Sequence, residues 1–562
     1  MTGARIVIES LIKEGIEVVF GYPGGAIMNV YDELYKQDKI KHILTKHEQG
    51  AVHMADGYAR ATGKVGVAFV TSGPGITNAI TGIATAYTDS IPMVVISGQV
   101  PTFAIGTDAF QEVDAVGITR PITKHNFLVK DIKDLSPTIK EAFYIATSGR
   151  PGPVHIDIPK DITVAKTKFE YPQNVELKTY KPTYKGNPKA IKRAAEAIKK
   201  AKKPIFYIGG GSVLSNAYEV IREVVKITQI PAVETLMARG VLRYDCPYLL
   251  GMVGMHGSYA ANMGMNDADL IISLGARFDD RVTGKLDEFA KNADIIHIDI
   301  DPSQIGKVVK TKYPIVGDVK LVLEEMLPML IEVDTNRYQE WRDILNRYKE
   351  LYPLKYKDDE KVIKPQWVIE KTGELAPDDA VISTDVGQHQ MWTAQFYPWS
   401  YPKQFLTSGG LGTMGFGFPA ALGAKEGVKE RVVINFTGDG SIMMNIQEIL
   451  VGYKYNLPVI NIILNNNYLG MVRQWQTMFY EDRLSETDLS DVQADFVKLA
   501  ESMGGVGYRV STKEQFEKAF NDALNSNKVA FIDVEIDRRE DVLPMVPPNS
   551  PLKNMLIFKE EK

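Results

Sequence analysis

Short runs of apolar, mostly β-branched residues recur along this chain, and stretches of helical character separate them. Apolar strands that alternate with helices are typical of parallel sheets covered by helices on both faces. The sequence therefore predicts an α/β protein with three doubly wound parallel-sheet domains. The runs fall in three groups: residues 65–75, 92–98 and 153–159; residues 203–211, 267–277 and 293–301; and residues 379–387, 431–440, 457–467 and 529–537.

Two polar segments without strand or helix periodicity mark the predicted domain boundaries. Residues 166–188 are rich in Lys, Pro and Tyr, and residues 353–365 are similar and follow a charged amphipathic helix. We predict a first domain over 1–165, a central domain over 189–335, a third domain over 365–540 and a C-terminal tail over 541–562. Ligands of such sheets gather at the carboxyl ends of the strands.

Composition excludes several classes of protein. The formal net charge is −5 and no basic block is present, so nucleic acid is not an expected partner. A single cysteine, Cys246, rules out a disulfide framework and a cysteine-rich metal site. The first residues lack a signal-peptide layout and no apolar run is long enough to span a bilayer. We therefore expect a cytoplasmic protein without a membrane partner.

The sequence GDGS at residues 438–441 directly follows an apolar run. Gly438 and Gly440 let the backbone turn sharply and approach a ligand. Ser441 is a candidate N-cap for a helix over 442–455, whose first N–H groups would face an anion. Asp439 is placed to hold a hard cation against that anion. From these residues alone, a simple Asx turn between strand and helix is an equally good interpretation.

The next strand supplies the second half of a metal site. Asn466 follows it, one strand–helix–strand unit after Asp439. In a parallel sheet the two strand ends lie side by side, which brings the two side chains together. A carboxylate, an amide oxygen, a backbone carbonyl and two phosphate oxygens would give Mg²⁺ the oxygen ligands it requires.

GDGS followed by NN at this spacing resembles the signature of thiamine diphosphate enzymes. In detail, nearly the whole chain resembles the catalytic subunits of biosynthetic acetohydroxyacid synthase (acetolactate synthase). The three domains would then be the pyrimidine-binding, FAD-binding and diphosphate-binding domains. The similar segments are residues 20–34, 47–63, 71–87, 98–112, 148–161, 275–285, 386–397, 408–424 and 468–476.

The resemblance implies the residues that hold thiamine diphosphate and Mg²⁺. Glu48 would hydrogen-bond N1′ of the aminopyrimidine and promote its imino tautomer, and Met414 would support the V shape of the cofactor. Asp439, the Asn466 side chain and the Tyr468 carbonyl would coordinate Mg²⁺. The other cofactor contacts implied are Val386, Gly387, Gln388, His389, Gly438, Gly440, Ser441, Gly470 and Met471. Without the resemblance, Glu48 is a surface residue at a helix start and Met414 is a core residue.

The resemblance also implies FAD in the central domain, in a role without redox chemistry. A glycine cluster after a strand is by itself a weak signal. Asp299 would accept hydrogen bonds from the nucleotide, and its simpler interpretation is a turn former at a strand end. The implied FAD contacts are Arg150, Gly209, Gly210, His256, Gly257, Gly275, Arg277, Asp299, Ile300 and Asp318.

The resemblance also implies the residues that bind the substrates. Pyruvate carries a carboxylate, which calls for Lys or Arg, and Lys160 and Arg281 match family positions that line the substrate channel. Phe110 and Gln111 match active-site positions, with Gln111 and Lys160 assigned, like Glu48, to the catalytic set. Trp475 would border the pocket of the second substrate. The alternatives are solvated ion pairs, Lys160 with Asp161 and Arg281 with Asp280, and a buried aromatic role for Trp475.

The implied reaction is decarboxylation of pyruvate and ligation of the hydroxyethyl carbanion to a second 2-oxo acid. Pyruvate as acceptor gives 2-acetolactate and 2-oxobutyrate gives 2-aceto-2-hydroxybutyrate, in branched-chain amino-acid biosynthesis. Because Glu48 and the diphosphate site lie in different domains, the resemblance implies at least a homodimer. The sequence leaves open whether two dimers associate into a dimer of dimers and whether a small regulatory subunit binds. A flavin-dependent pyruvate oxidase or a related 2-oxo acid decarboxylase is the alternative activity.

Overall fold

The computed structural model describes residues 1–558 and contains three six-stranded sheets in which all paired strands are parallel. The predicted class, three α/β domains with parallel sheets, is confirmed. Within the described residues, no helix combines the length and the apolarity that crossing a bilayer requires.

The sheet of the first domain has the strand order β2-β1-β3-β4-β6-β5. Helices cover both of its faces, and its central strands β3, β4 and β6 are buried at every residue. The elements are α1 (Gly3–Lys13), β1 (Val18–Gly21), α2 (Met28–Tyr35), β2 (Lys41–Leu44), α3 (Glu48–Thr62), β3 (Gly66–Val70), α4 (Pro74–Asp89), β4 (Met93–Gln99), α5 (Ala115–Thr119), β5 (His125–Leu128), α6 (Ile132–Thr147), β6 (Pro153–Pro159) and α7 (Lys160–Val164).

The central sheet has the order β12-β11-β10-β7-β8-β9. Numbered within the domain, this is the 3-2-1-4-5-6 order of dinucleotide-binding folds, with the ligand crevice expected between β7 and β10. The elements are α8 (Pro188–Lys200), β7 (Pro204–Ile208), α9 (Gly210–Leu214), α10 (Tyr218–Thr228), β8 (Ala232–Glu234), β9 (Leu249–Met252), α11 (Tyr259–Asp267), β10 (Leu270–Leu274), α12 (Asp280–Thr283), β11 (Asp294–Asp299), β12 (Tyr313–Val316), α13 (Val319–Leu330) and α14 (Gln339–Leu351).

The sheet of the third domain has the order β14-β13-β15-β16-β18-β17, which repeats the topology of the first domain. The elements are α15 (Pro365–Leu375), β13 (Val381–Thr384), α16 (Gln388–Phe396), β14 (Phe405–Leu406), α17 (Gly417–Gly427), β15 (Val433–Gly438), α18 (Asp439–Ile442), α19 (Ile449–Tyr455), β16 (Ile460–Asn465), α20 (Gly470–Phe479), α21 (Phe496–Ser502), β17 (Val506–Val510), α22 (Lys513–Ser526) and β18 (Ala530–Glu535).

Local sequence explains where many of these helices begin. Asn187 caps α8 through the N–H groups of residues 189 and 190, and Pro188 occupies the first helical position, where no N–H is needed. Thr512 and Gln515 form a reciprocal capping box at the start of α22. Such caps satisfy N–H groups that a helix itself leaves without partners.

The first and third domains share one hydrophobic core, in which α3 crosses α17. Gly57 and Gly423 lie at the crossing. A Cβ on Gly57 would lie 2.0 Å from the carbonyl oxygen of Ala420, and one on Gly423 would lie 1.9 Å from that of Met54. Only glycine lets the two helix backbones approach this closely.

Irregular segments connect the domains. Residues 167–187 and 353–362 contain no helix or strand, and the C-terminal segment returns over the central domain. There the N–H of Val546 donates to the carbonyl of Met255 at 2.7 Å. Part of the predicted tail, residues 559–562, lies outside the described residues.

Candidate functional site

Asp439 and the loop of Asn466 meet at the carboxyl edge of the third sheet. The paired strands β15 and β16 end there, and the backbone N–H of Asn467 lies close enough to the Asp439 carboxylate to act against the rise in its pKa. Asn466 Oδ1 accepts from the N–H of Tyr468 at 3.0 Å, and Asn466 Nδ2 donates to Gln388 Oε1 at 3.2 Å. Burial raises the pKa of Asp439 to about 7. A cation at this position would favour the ionised carboxylate.

The helix after GDGS differs from the prediction. Ser441 is not an N-cap: α18 begins at Asp439 with Gly438 as its cap, and the Ser441 hydroxyl donates to the carbonyl of Val386 at 3.3 Å. The single helix expected over 442–455 is also wrong. After α18 the chain turns, forms a 3-10 helix at Ile446–Glu448 and continues as α19. The Asn445 side chain donates to the carbonyl of Gly415 at 2.7 Å, a tertiary bond that competes with a regular helix.

His389 lies behind the same strand ends, in α16. Its ring is buried and bonded to the backbone carbonyl of Asp385, and within the described residues Nε2 has no partner. Burial lowers its pKa to about 3. Gly438 makes room for the ring, because a Cβ there would lie 3.1 Å from Nδ1. An anion at Nε2 would favour the imidazolium, which donates from both nitrogens, so the residues here fit a diphosphate.

A cavity of about 930 Å³ joins this edge of the third domain to the central domain. Residues of all three domains line it. Among the predicted site residues, those on its wall are Arg150, Gly209, Gly210, His256, Gly275, Arg277, Arg281, Asp299, Ile300, Asp318, Val386, Gly387, Met414, Met471 and Trp475. Those not on its wall are Glu48, Phe110, Gln111, Lys160, Gly257, Gln388, His389, Gly438, Asp439, Gly440, Ser441, Asn466, Tyr468 and Gly470.

In the central domain, glycines bring two loops together at the topological switch point. The N–H of Gly211 donates to the carbonyl of Gly275 at 3.0 Å, and a Cβ on Gly209 would lie 2.3 Å from the same oxygen. Because these residues are glycines, no side chains cover the backbone where the cavity reaches the ends of β7 and β10. This arrangement suits the close approach of a dinucleotide.

Acidic residues edge the same crevice. Asp299 ends β11, and its carboxylate accepts a hydrogen bond from the N–H of Asp301 at 2.9 Å. This is the geometry expected if Asp299 only forms a turn at the strand end. Asp299 also lines the cavity, and burial raises its pKa to about 6. Asp318 caps α13, and Arg150 donates to Ser90 at 2.7 Å and pairs with Asp301 at 3.4 Å.

Glu48 lies at the carboxyl edge of the first sheet. It is the first residue of α3 and is 9% exposed, so it is not a surface residue. Its carboxylate accepts a hydrogen bond from Asn78 Nδ2 at 3.0 Å. Gln111 packs against Gly73 in the loop before α4 and has a positive φ of 61°. The structure thus gathers Glu48 and Gln111 around one loop.

Glu48 does not line the cavity of its own chain. Arg60, in the last turn of α3, lines that cavity, whereas Glu48 begins the helix. Twelve residues at about 1.5 Å each separate the two by about 18 Å. One chain therefore holds two separate clusters, one around Glu48 and one around Asp439.

The predicted substrate residues divide between these clusters. Phe110 is 89% exposed, and Lys160 is exposed directly after β6, at the carboxyl edge of the first sheet. Asp161 bonds to Thr102. Arg281 lines the cavity. It also lies 3.8 Å from Asp280, so the solvated ion pair that was the alternative to a substrate role is present as well.

Trp475 lies half-buried on the cavity wall, with its ring 5.6 Å from that of Phe479. A fully buried core role does not describe it.

Sequence patterns did not indicate several polar residues that surround the site. Asn78, which bonds Glu48, belongs to no motif. Asp89 accepts hydrogen bonds from the backbone N–H groups of Gly409 and Gly410, at 3.1 and 2.7 Å, in the segment that leads to Met414. Asp89 also pairs with the buried guanidinium of Arg60 at 2.9 Å. The bonds from Gly409 and Gly410 to Asp89 join residues more than 300 positions apart, so spacing along the chain could not indicate them.

Comparison with protein families agrees with this organisation. The N-terminal thiamine pyrophosphate (TPP) binding domain of thiamine pyrophosphate enzymes matches residues 1–118, their central domain matches residues 191–326, and their C-terminal TPP binding domain matches residues 385–534. The chain therefore has the three domains of a thiamine pyrophosphate enzyme.

Curated relatives narrow the family. The chain is 48% identical to the acetolactate synthase isozyme 3 large subunit of Escherichia coli K12, over 100% of this chain and 99% of that protein. It is 48% identical to the Haemophilus influenzae acetolactate synthase large subunit, with 100% and 99% covered, and 47% identical to a probable large subunit of Methanocaldococcus jannaschii, with 99% and 95% covered. The chain belongs to the acetolactate synthase large-subunit family.

Proposed function

We propose that this protein is a transferase that forms 2-acetolactate from two molecules of pyruvate in branched-chain amino-acid biosynthesis. With 2-oxobutyrate as acceptor it forms 2-aceto-2-hydroxybutyrate, so it serves valine and isoleucine synthesis. The observation that carries the proposal is the 48% identity over the full chain to acetolactate synthase large subunits. A cytoplasmic location is part of the proposal and follows from this biosynthetic role.

Thiamine diphosphate is held by the third domain at its diphosphate end. Asp439, the Asn466 side chain and the Tyr468 carbonyl hold Mg²⁺, which keeps the buried Asp439 ionised. The unpaired Nε2 of His389 supports an anion at this place. When bound, thiamine diphosphate supplies the electron sink for decarboxylation and carbon–carbon bond formation. The protein's part is to orient the reactants and to exclude water.

Glu48 exchanges a proton with the aminopyrimidine of a cofactor held by a second copy of the chain. The support is that Glu48 does not line the cavity of its own chain, whereas Arg60, about 18 Å farther along α3, does. Gln111, Lys160 and Phe110 come with Glu48 from that second copy. The active unit is thus at least a homodimer, and a dimer of dimers is compatible with it.

FAD occupies the central domain without a redox role. The 3-2-1-4-5-6 strand order, the close glycines at the switch point and the cavity that runs to the third domain support this. Carboligation of two 2-oxo acids has no net electron transfer, so the flavin has nothing to oxidise. Arg281 and Trp475, on the wall of the same cavity, receive the second substrate.

A small regulatory subunit is a further proposed partner. Its support is the description of the relatives as large subunits.

The activity is tested by incubating the purified protein with pyruvate, Mg²⁺, thiamine diphosphate and FAD and identifying the product. Acetolactate is expected. Acetaldehyde, or acetate with flavin reduction, would overturn the proposal.

The shared site is tested by mixing two inactive variants, Glu48→Gln and Asp439→Ala. In a mixed dimer, one site combines the intact Glu48 of the Asp439→Ala chain with the intact third domain of the Glu48→Gln chain. That site should be active, whereas Glu48→Gln alone should lose at least about 10²-fold, the usual contribution of acid–base assistance, and Asp439→Ala alone should lose activity because it binds the cofactor weakly. A mixture no more active than its components would show that Glu48 serves its own chain.

A further inference from the structure

Glu448 is a buried acid that none of the predicted motifs uses. It ends the 3-10 helix Ile446–Glu448 in the third domain and has no exposed surface. Both of its carboxylate oxygens lie 3.1 Å from the backbone nitrogen of Lys46, which donates to them, and the neighbouring N–H of His47 also acts to lower its pKa. An acid of the third domain thus binds the main chain of the first domain immediately before Glu48.

The first turn of α3 is shaped around this carboxylate. A Cβ on Gly50 would lie 2.4 Å from Glu448 Oε1, and its three nearest neighbours would all be atoms of Glu448. A carboxylate beside the N-terminus of a helix also interacts favourably with the helix dipole. Burial raises the pKa of Glu448 to about 8, opposed by the two backbone N–H groups and the Lys46 ammonium.

Glu448 also continues the segment that forms the diphosphate site. Asp439 and Ser441 open this segment, Asn445 fixes it to the carbonyl of Gly415 at 2.7 Å, and Glu448 closes it. A single stretch of ten residues, 439–448, therefore runs from the predicted metal ligand to the backbone that carries Glu48.

We propose that Glu448 is a positioning residue that holds Glu48 of its own chain in place for the active site of the partner chain. Residues 439–448 would then connect the two active sites of a dimer, because they bind the diphosphate in one site and position the acid of the other. This inference rests on the proposed function, in which Glu48 serves the cofactor of a second copy.

The mixed dimer described above distinguishes two roles for Glu448. In one, Glu448 positions Glu48 of its own chain; in the other, it supports the diphosphate site of its own third domain. Glu448→Gln is placed either in the Asp439→Ala chain, which supplies the working Glu48, or in the Glu48→Gln chain, which supplies the working third domain. The two mixed dimers contain the same substitutions in total and differ only in which chain carries Glu448→Gln. A general loss of stability therefore affects both.

We expect the loss of kcat to be at least about tenfold larger when Glu448→Gln shares a chain with the working Glu48, since displacement of a reacting group by about 1 Å costs up to about 10²-fold. The rate of deuterium exchange at C2 of bound thiamine diphosphate should fall in parallel, while KM for pyruvate changes little. Equal losses in the two arrangements, or a larger loss in the other one, would overturn the inference. If the parent mixed dimer is inactive, the shared site itself fails, and the inference fails with it.

Two single-chain variants give an independent test. Gly50→Ala keeps both acids but pushes the Glu448 carboxylate away, and alanine is a better helix former than glycine, so α3 itself is not weakened. Tyr455→Phe is the matched control, because the Tyr455 hydroxyl accepts from the N–H of Leu44 at 2.8 Å, a similar contact between the same domains but farther from Glu48.

In the protein without cofactor, Gly50→Ala should speed amide exchange at residues 46–49, and with cofactor it should slow C2 exchange at least about tenfold. Tyr455→Phe should change C2 exchange by less than about twofold, in keeping with a contact that does not touch the reacting groups. Equal effects of the two variants on C2 exchange would mean that the domain contact as a whole, and not Glu448, positions Glu48.

Discussion

Replacing Gly57 by alanine tests whether the crossing of α3 and α17 sets the position of Glu48. A Cβ on Gly57 would lie 2.0 Å from the Ala420 carbonyl oxygen and 2.6 Å from its carbonyl carbon, both backbone atoms that cannot rotate away. Ordinary contact begins near 3.4 Å. The helices must therefore separate by about 1.4 Å, the difference between those two distances. Gly423 blocks a sliding movement, because its own Cβ position faces the carbonyl of Met54.

The magnitude follows from that separation. Misplacement of a reacting group by about 1 Å costs on the order of 10²-fold in rate, and Glu48 is carried on α3. Alanine favours the helical state by about 1 kcal/mol over glycine, so α3 is not destabilised and the loss is geometric. The diphosphate residues lie in the third domain alone, so affinity for thiamine diphosphate should stay within a few-fold of the original.

The assay compares kcat for acetolactate formation with the dissociation constant of thiamine diphosphate measured by titration calorimetry. Ala420→Gly is the control, since it removes a side chain at the same crossing without forcing the helices apart, and it should retain kcat. If Gly57→Ala kept kcat within twofold of the original, or lost cofactor affinity as strongly as rate, the crossing would not be what positions Glu48.

Three further predictions concern single side chains. Asp439→Ala should weaken binding of thiamine diphosphate, with only partial rescue by added Mg²⁺; unchanged affinity in calorimetry would contradict the metal site. Trp475→Leu should lower the preference for 2-oxobutyrate over pyruvate, which rests on one methylene worth about 1–3 kcal/mol; an unchanged product ratio with both acceptors in competition would move the acceptor pocket elsewhere. Burial raises the pKa of Asp157 from 3.8 to about 7, so the folded protein keeps a proton that the unfolded chain releases. As the pH rises from about 4 to 7, the free energy of unfolding of the wild type should therefore fall by about 1.4 kcal/mol per pH unit relative to that of Asp157→Asn. Amide exchange in β4 and β6 reports this free energy, and the same pH dependence in the two proteins would contradict the prediction.

The sequence predicted most interior strands of the three sheets, but none of the predicted runs covers the interior strands β1 and β8, and the sequence said little about the edges. The central strands β3, β7 and β10 are buried at every residue, so both faces must be apolar and the pattern is continuous. The edge strands β2, β5, β12 and β17 are partly exposed, and β14 has only two residues. Such strands contain a mixture of polar and apolar residues that also occurs in loops. Whether they form strands depends on pairing with segments elsewhere in the chain.

The same distinction holds for the site. Gly438, Asp439 and Asn466 could be found because each directly follows a strand, and the sheet brings successive strand ends together. The break after α18 could not be found, because it depends on a bond between Asn445 and Gly415. Glu448 resembles any acid near a helix start, and only the packing of two domains turns it toward Lys46.

The matching topologies of the first and third domains bear on the proposal that one chain does not complete the site. Each domain carries a proposed site acid at the carboxyl edge of a sheet with the same strand order: Glu48, proposed to act on the aminopyrimidine, in one and Asp439, proposed to hold Mg²⁺, in the other. A cofactor that needs both must lie between two such edges. Within a chain, however, the domains pack through α3 and α17, and Glu48 begins the helix whose far end reaches the cavity. The contact that makes the chain one folded unit therefore holds Glu48 at the end of α3 that does not line the cavity, about 18 Å along the helix from Arg60, and in the proposed function a second copy supplies the missing edge.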